Sequence, residues 1–267
     1  MLNKEKTKLS NIIKKKCIKK TIVDDFKIDD IHHRVVDYTS WLPFFKSRRE
    51  LIFKVENDNR VYIHSSIYLN PKHHFQPIFR MPQDITSLWS KHFSVKNAFV
   101  LGCAGCTFPR FIALRYPESK TIGVEWSEQL INVAKKYFMI DQISNQFDLY
   151  CDDAFKFVDE YQFKQKQDVI FVDIFDFNRL PSEVYSEEFL KSLFNCAGET
   201  SITMFNFLTE EPSKILAFAE KINMPFDKKY VVYSTNRCFL LLVKAKENSK
   251  IESFEKSLKD SMEVFVC

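Results

Sequence analysis

Residues 97–125 read NAFVLGCAGCTFPRFIALRYPESKTIGVE, and this stretch decides the fold. It predicts a buried strand, a turn that carries Gly102 and Gly105, a helix, and a second strand that ends at Glu125. The turn holds two of the four glycines in the chain of 267 residues. Glycine lets the backbone bend sharply or approach a ligand closely, and a turn between a strand and a helix forms the ligand crevice of open α/β sheets.

Alternation of strands and helices continues downstream of this stretch. Apolar runs predict further strands at 147–151, 168–173, 201–207, 229–234 and 237–243, and helical periodicity predicts helices at 127–139, 154–161, 186–196 and 212–222. Such alternation is typical of an α/β fold with a doubly wound, mostly parallel sheet. Because only Thr235 and Asn236 separate the last two strands, we expect that pair to be antiparallel.

The first ninety residues have a different pattern. Two stretches rich in Val, Ile, Phe and Tyr within 51–70 flank a turn sequence at 56–59, which predicts a β-hairpin. Eight lysines and one glutamate among residues 1–20 indicate a terminal helix, either solvated or in contact with RNA or a membrane surface. The sequence therefore predicts a basic N-terminal segment with a small β-containing subdomain at 1–90, and the main α/β domain at 91–267.

Composition excludes several classes of protein. Hydrophobic residues make up 45% and aromatic residues 15%, which rules out a disordered chain. The formal net charge of +4 is small for this size, so we expect no nucleic-acid partner. No apolar run reaches the roughly 18 residues of a membrane span, and residues 1–20 lack the apolar core of a signal peptide. Together with seven scattered cysteines, an odd number, these features predict a cytoplasmic protein without a membrane partner or a disulfide framework.

The glycine turn does not match the fingerprint of a dinucleotide site. That fingerprint places a glycine two residues after the first one, and a glycine or alanine three residues further on, where this chain has Ala104 and Thr107. Nicotinamide and flavin cofactors are therefore disfavoured. The looser spacing of Gly102 and Gly105 suits a nucleoside without a pyrophosphate.

Residues at the ends of the next two strands also suit a nucleoside. Glu125 follows the glycine turn by about twenty residues, where a carboxylate can accept hydrogen bonds from both ribose hydroxyls; the alternative is an acid that only favours the helix dipole. Trp126 can stack on adenine or pack as an ordinary side chain. Of Asp152 and Asp153, the second is the better acceptor for the adenine amino group, although it can equally be a plain helix N-cap.

Two more carboxylates follow the strand at 168–173, Asp173 at its end and Asp176 one turn later. A pair of acids aimed at one site suits a cationic amine, because they can hold an ammonium group and then accept its proton so that the neutral nitrogen attacks an electrophilic carbon. A free amine with a pKa of about 10 is inert at neutral pH until that proton is lost. The alternative interpretation is a loop cap and a surface acid.

Metal binding is not expected from the sequence. Cys103 and Cys106 form a CxxC pair within the glycine turn, but no second pair stands at the spacing of a zinc site. The adjacent histidines at 32–33 and at 73–74 would point to opposite faces of a strand, so neither pair suits a single ion.

Residues 99–190 resemble the spermidine synthase (polyamine aminopropyltransferase) family. The stretches that carry the resemblance are FVLGCAGCTFPR, RYPESKTIGVEWSEQLINVAKKYF, CDDAFKFV and DVIFVDIFD, followed by LPSEVYSEEFLKSL. The resemblance covers the core well and the first ninety residues poorly. It implies a seven-stranded, Rossmann-like sheet of the methyltransferase type behind a small N-terminal β-domain, and a homodimer or larger oligomer.

The resemblance also implies a role for each matching residue. The donor-binding residues would be Gly102, Ala104, Gly105, Glu125, Trp126, Asp153 and Ala154. Asp173 would be the base or orient the amine, Asp176 would help to hold the acceptor, and Gln76 would line the acceptor channel. In the implied reaction a small-molecule amine attacks the carbon next to the sulfonium of S-adenosylmethionine or of its decarboxylated form, without a metal, and methylthioadenosine is released.

Departures from the family leave the reaction open. Well-characterised members have an aspartate in the glycine turn, at the position of Gly105, that binds the amine of the donor, and a tyrosine where Phe79 stands. The resemblance therefore allows transfer of an aminopropyl group, transfer of an aminobutanoyl group from a donor that keeps its carboxyl group, or methylation of a small molecule. The alternative to an enzyme is a degenerate nucleoside-binding interaction module, against which the retention of Glu125, Asp153 and Asp173 argues.

Overall fold

The computed structural model describes residues 18–42, 45–54, 60–73, 78, 80–161, 163, 165–176, 180–208, 211–234 and 237–266. These residues form two β-sheets and seven α-helices. No helix among them is long and apolar enough to cross a membrane.

The N-terminal sheet consists of β1 Ile18–Ile28, β2 Ile31–Ser40, β3 Arg48–Lys54 and β4 Tyr62–Tyr68. The four strands are antiparallel and follow one another in chain order. β3 and β4 are the predicted hairpin, whereas β1 and β2 are not indicated by the sequence patterns. A terminal helix was predicted over residues 1–20, of which residues 1–17 lie outside the described residues. The prediction is wrong for residues 18–20, which belong to β1 and pair with β2.

The main sheet and its helices occupy the rest of the chain. The strands are β5 Asn97–Leu101, β6 Lys120–Glu125, β7 Phe147–Cys151, β8 Gln167–Val172, β9 Ala197–Asn206, β10 Lys228–Ser234, β11 Arg237–Lys244 and β12 Glu263–Val266. The helices are α1 Arg80–Trp89, α2 Thr107–Arg115, α3 Glu128–Tyr137, α4 Ala154–Glu160, α5 Glu187–Cys196, α6 Pro212–Lys221 and α7 Asn248–Lys259. The order of the strands across the sheet is β12-β10-β11-β9-β8-β5-β6-β7.

Strand directions confirm the predicted fold class. β7, β6, β5, β8 and β9 are mutually parallel, and β11, β10 and β12 extend the sheet as antiparallel neighbours. The β10–β11 pair is antiparallel, as its short connection predicts. All seven predicted strands are present, and β12 adds an eighth at the edge next to β10. The chain therefore has a doubly wound sheet of the methyltransferase type, with a separate small antiparallel sheet before it.

Both faces of the main sheet are buried. In β5, Ala98 and Val100 point into one core and Phe99 and Leu101 into the other, since side chains alternate along a strand. Residues of α1, α2, α3 and α7 belong to the first core, and residues of α4, α5 and α6 to the second. The first core also contains residues of the N-terminal sheet, among them Leu51. The two sheets therefore share one hydrophobic core.

The domain boundary between residues 90 and 91 stays a prediction. α1 precedes this boundary, yet Trp89 at its end is fully buried and packs edge-on against Phe254 of α7, with ring centroids 5.3 Å apart. α1 is therefore part of the packing around the main sheet.

Candidate active site

A cavity of about 450 Å³ opens where the parallel strands of the main sheet end. Residues that follow these strands and line the cavity include Gly102, Cys103, Ala104, Trp126, Asp153, Ala154, Asp173, Ile174, Phe175 and Leu208. β4 of the N-terminal sheet and the start of α1 supply other parts of its wall. Ligand crevices of open α/β sheets lie at this edge, and the volume is typical of a small-molecule site.

The glycine turn is in direct backbone contact with the residue after β8. Gly102 has a left-handed backbone with φ 82°, and a Cβ at this position would lie 2.3 Å from the carbonyl oxygen of Asp173. The backbone N–H of Asp173 donates to the carbonyl of Leu101 at 2.8 Å. Only glycine meets both the conformational and the steric requirement at position 102.

Glu125 is buried, and its carboxylate binds the glycine turn. Its Oε2 accepts hydrogen bonds from the N–H of Cys103 at 3.2 Å and of Ala104 at 2.7 Å, and its Oε1 accepts from Ser127 at 3.1 Å. Burial raises the pKa of this carboxyl group, and the N–H donors oppose the rise. Because a carboxylate has about four acceptor positions, these contacts leave few for ribose. The ribose contact stays a prediction, and Glu125 has the additional role of holding the turn.

The three residues predicted to meet the adenine all line the cavity. Trp126 is 57% exposed, so its ring is accessible to a ligand. Asp153 is the N-cap of α4, and its Oδ1 accepts a hydrogen bond from the N–H of Lys156 at 2.9 Å. Ala154 is buried at the start of the same helix. Capping occupies one carboxylate oxygen of Asp153, so the cap and an adenine contact are compatible.

Asp173 lies on the cavity wall together with Asn206 and Arg237. The side-chain amide of Asn206, the last residue of β9, donates to Oδ1 of Asp173 at 2.7 Å. Burial raises the pKa of the Asp173 carboxyl group, whereas the hydrogen bond from Asn206 and the positive charge of Arg237 lower it. A partly buried carboxylate whose pKa is raised is suited to accept a proton from a ligand.

Two predicted site residues, Gly105 and Asp176, are not among the described residues of the cavity wall. Asp176 is exposed. The N–H of Gly105 donates to Oγ of Ser65 in β4 at 2.9 Å, and a Cβ at position 105 would lie 2.6 Å from the Ser65 Cβ. Gln76 lies outside the described residues. The roles assigned to these residues stay predictions.

Polar residues that sequence reasoning missed also line the cavity. Gln83 in α1 and Thr107 at the start of α2 each have a buried side-chain oxygen without a hydrogen-bond partner among the described residues. A ligand that hydrogen-bonds to them would remove the free-energy cost of leaving them unpaired. No sequence pattern marks Gln83. The position of Arg237 could have been inferred from the sequence, because the antiparallel pairing predicted for the last two strands places the start of the second one at this edge of the sheet.

An aromatic stack from the N-terminal sheet forms another part of the wall. The ring of His64 in β4 lies 4.3 Å from Phe53 and 5.4 Å from His33, centroid to centroid. Burial, with His33 beside it, lowers the pKa of His64 to about 3. His64 is therefore uncharged at neutral pH and contributes no positive charge to the cavity.

Within the described ranges of the chain, no three His, Cys, Asp or Glu side chains form a group that could hold a metal ion. Cys103 and Cys106 are both buried, and burial raises the pKa of the Cys103 thiol. A buried, protonated thiol is a poor metal ligand and a poor nucleophile.

Comparison with known proteins relates this geometry to two kinds of enzyme. Residues 91–222 match the model of the spermine/spermidine synthase domain. A probable spermidine synthase from Corynebacterium glutamicum has a similar structure, with a TM-score of 0.65 and 14% identity over 92% of this chain and 90% of its own. A spermidine synthase in complex with the transition state analogue AdoDATO gives a TM-score of 0.54 and 16% identity over 87% and 75%.

Human methyltransferase-like protein 13 in complex with SAH gives a TM-score of 0.50 and 17% identity over 66% of this chain and 86% of its own. No curated protein sequence matches the chain significantly. At these identities the structural similarities establish the fold, and the domain match shows that residues 91–222 are similar to the spermine/spermidine synthase domain.

Proposed function

We propose that this chain is a divergent member of the spermine/spermidine synthase family, whose domain model matches residues 91–222, and that it is an alkyltransferase. It moves an aminopropyl or aminobutanoyl group from decarboxylated S-adenosylmethionine or from S-adenosylmethionine to a small-molecule amine, and it releases methylthioadenosine. Two structural neighbours were solved with AdoDATO and with SAH, which supports an adenosyl ligand in the cavity of this chain.

The reaction requires few groups from the protein. The lone pair of the acceptor nitrogen attacks the carbon bonded to the sulfonium, and the carbon–sulfur bond breaks with its electrons on sulfur. Sulfur becomes a neutral thioether, and the positive charge moves to nitrogen, which loses a proton. Most of the acceleration would come from holding nitrogen and carbon in line, with a carboxylate at the nitrogen.

The position of Asp173 is the observation that carries this proposal. Its carboxylate lies at the end of β8, beside the glycine turn, and Asn206 holds one of its oxygens. Its raised pKa suits a group that accepts the proton of an ammonium and orients the resulting amine. Trp126 and Asp153 line the same cavity and are suited to the nucleoside.

The test is to incubate the purified protein with S-adenosylmethionine or its decarboxylated form and a mixture of diamines, polyamines and amino acids. Mass spectrometry then identifies the nucleoside product. We expect methylthioadenosine together with an acceptor that has gained the mass of the transferred group. S-adenosylhomocysteine as the only nucleoside product would contradict the proposal.

A small-molecule methyltransferase is the second candidate, and the contact between Gly105 and Ser65 favours it. In the family resemblance the residue at position 105 is an acid that binds the amine of the donor, and here Ser65 occupies the space that its side chain would need. The same experiment separates the two candidates, because methyl transfer yields S-adenosylhomocysteine and a product heavier by one methylene.

A further inference from the structure

The cavity wall has two sides, which follow different strands of the main sheet. Trp126 and Asp153, which are suited to the nucleoside, follow β6 and β7. Asp173 follows β8, which lies on the other side of β5 in the order of the strands. In the proposed reaction the nucleoside occupies the side at β6 and β7, so the acceptor is left with the side at β8.

The side of the cavity at β8 is built mainly from apolar side chains. Phe171 in β8 packs against Phe108 in α2 and against Phe239 in β11, with ring centroids 4.8 and 6.2 Å apart. These three residues line the cavity, as does Met81 in α1, and all four belong to the first hydrophobic core. We refer to Met81, Phe108, Phe171 and Phe239 as the apolar pocket.

Gln83 is a buried polar side chain that lines the cavity from the same helix as the methionine of the apolar pocket. The helix lies between α2 and α7, because the hydroxyl of Tyr116 donates to the carbonyl of Thr86 at 3.4 Å and Trp89 packs against Phe254. Gln83 is 1% exposed, and its Oε1 has no hydrogen-bond partner among the described residues. A ligand hydroxyl or amide N–H would recover the free energy that this unpaired oxygen costs.

The acids on the described wall leave one carboxylate for the acceptor. Glu125 accepts three backbone hydrogen bonds from the residues around it, and Asp153 caps α4 on the nucleoside side. Asp173 remains, and the positive charge of Arg237 already acts on it. His64 on β4 is uncharged at neutral pH, because burial lowers its pKa to about 3. The described part of the wall therefore offers no second carboxylate at the apolar pocket.

A second ammonium group in the apolar pocket would be unfavourable. Moving an unpaired charge from water into apolar surroundings costs far more free energy than moving a hydroxyl group. A diamine or polyamine with one nitrogen at Asp173 would bring such a charge to the apolar pocket. A hydroxyl in the same place can pair with the side-chain amide of Gln83.

We propose that the acceptor is a monoamine whose remaining part is uncharged. Its amine lies at Asp173, its carbon chain or ring lies in the apolar pocket, and a hydroxyl or amide group pairs with Gln83. Gln83 is thereby a specificity-determining residue of the acceptor site. The inference rests on the proposed function and narrows the acceptor from amines in general to monoamines with a neutral hydrogen-bonding group.

Three acceptors of equal size test this inference. 1,4-Diaminobutane, 4-amino-1-butanol and pentylamine have the same number of non-hydrogen atoms and differ in one end group, which is an ammonium, a hydroxyl or a methyl group. Methylthioadenosine release is measured with each of them. We expect kcat/KM for 4-amino-1-butanol to be about tenfold above that for pentylamine, which leaves Gln83 unpaired. It should be about tenfold or more above that for 1,4-diaminobutane, which buries a charge.

Variants of Gln83 should change these ratios in opposite directions. Gln83→Met, which removes the amide at nearly constant size, should reduce the advantage of 4-amino-1-butanol over pentylamine to about twofold or less. Gln83→Glu supplies a carboxylate and should shift the preference about tenfold or more toward 1,4-diaminobutane. Gln129→Met is the matched control and should leave both ratios unchanged, because Gln129 is exposed on α3 and is not among the described residues of the wall.

Stability shows whether Gln83 has a structural role instead. The Tm of ligand-free Gln83→Met should be equal to that of the parent protein or higher, because an unpaired buried amide is removed. Methylthioadenosine should bind this variant and the parent protein with equal affinity, which shows that the variant is folded.

The inference and the proposed function fail in different ways. The inference is overturned if the parent protein uses 1,4-diaminobutane, a polyamine or an amino acid better than 4-amino-1-butanol, or if the ratios do not depend on Gln83. In both cases methylthioadenosine is still released, and the proposed function stands. If no amine supports methylthioadenosine release, the proposed function itself is overturned.

Discussion

At the scale of single residues, Asp173 combines a pKa raised by burial with a negative charge that the proposed reaction needs. Burial raises the pKa of its carboxyl group above the ordinary value of 3.8, so the folded protein binds this proton more tightly than the unfolded chain does. Above the folded-state pKa the ionised group therefore costs stability, and below pH 3.8, where both states are protonated, this cost is absent. The proposed reaction needs this carboxyl group in its ionised form, whereas the folded protein is more stable when the group is neutral.

Asp173→Asn should separate these two effects. We expect kcat to fall by about 100-fold or more, since a general base or amine-orienting group is lost. The free energy of unfolding at neutral pH should be equal to that of the parent protein or higher, and this advantage should vanish as pH falls below 3.8. Asp176→Asn is the control, because its side chain is exposed and its replacement should leave stability at neutral pH unchanged. A loss of stability in Asp173→Asn at pH 7 would contradict this account.

Contacts between elements hold the N-terminal sheet against the main domain. Arg49 in β3 forms a bidentate ion pair with Asp37 in β2, at 2.7 and 2.8 Å, and its Nη1 donates to the carbonyl of Tyr137 at the end of α3. The hydroxyl of Tyr137 in turn donates to Asp24 in β1 at 2.7 Å. Three strands of the small sheet are thus connected to one helix of the large one.

Arg49→Ala should destabilise the protein by about 2 to 3 kcal/mol, because it leaves the half-buried Asp37 without its cation. Arg34→Ala is the matched control: its ion pair with Asp25 lies in the same sheet, but both side chains are 40% exposed. Urea unfolding should show a loss below about 1 kcal/mol for the control. Equal losses for the two variants would show that the contact with α3 adds nothing.

The contact between Gly105 and Ser65 joins the glycine turn to β4. We expect Gly105→Asp to cost about 1 to 3 kcal/mol, because its Cβ would lie 2.6 Å from that of Ser65. A second substitution, Ser65→Gly, should recover at least half of this loss in urea unfolding. Ser65→Gly alone should be destabilising, since the buried N–H of Gly105 loses its acceptor. Additive losses in the double variant would refute the steric explanation.

Elements were predictable where one dominant pattern decides the structure. Continuous apolar runs such as 97–101 correspond to the buried parallel strands because both of their faces lie in a core. β1 reads IKKTIVDDFKI, is mostly exposed and is held by its pairing with β2, so its own pattern did not indicate a strand. The four residues of β12 are too few to show a period.

Residues of the candidate site were likewise predictable only where a single sequence rule applies. Glu125, Asp153 and Asp173 could be chosen as site residues from the sequence, because residues at the carboxyl ends of parallel strands lie at the ligand crevice. Arg237 and Gln83 could not be selected by that rule. Arg237 begins an antiparallel strand, so only the predicted pairing of the last two strands places it at this edge. Gln83 lies in a helix before the sheet and reaches the cavity through tertiary packing alone.

For the whole molecule, both sheets are needed to form the cavity. Tyr62, Ile63, His64 and Ser65 of β4 line it, and the first hydrophobic core contains residues of both sheets. A chain shortened to residues 91–267 would therefore expose part of this core and lack one wall of the cavity.

Thermal unfolding tests this dependence. With methylthioadenosine at a hundred times its Kd, the full chain should gain about 2.7 kcal/mol of stability, which corresponds to a rise in Tm of roughly 5 to 10 °C for a protein of this size. The chain shortened to residues 91–267 should show no rise at the same ligand concentration. An equal rise in both would show that the N-terminal sheet is dispensable for the nucleoside.

The short distance between Gly105 and Ser65 has an evolutionary consequence. The two positions are forty residues apart in sequence, yet the side chain of one occupies the space that a side chain on the other would need. Relatives that carry an acid in the glycine turn should therefore carry glycine, or a displaced strand, at the position of Ser65. A correlated exchange at these two positions across an alignment would show that the space between the turn and β4 holds one side chain at a time.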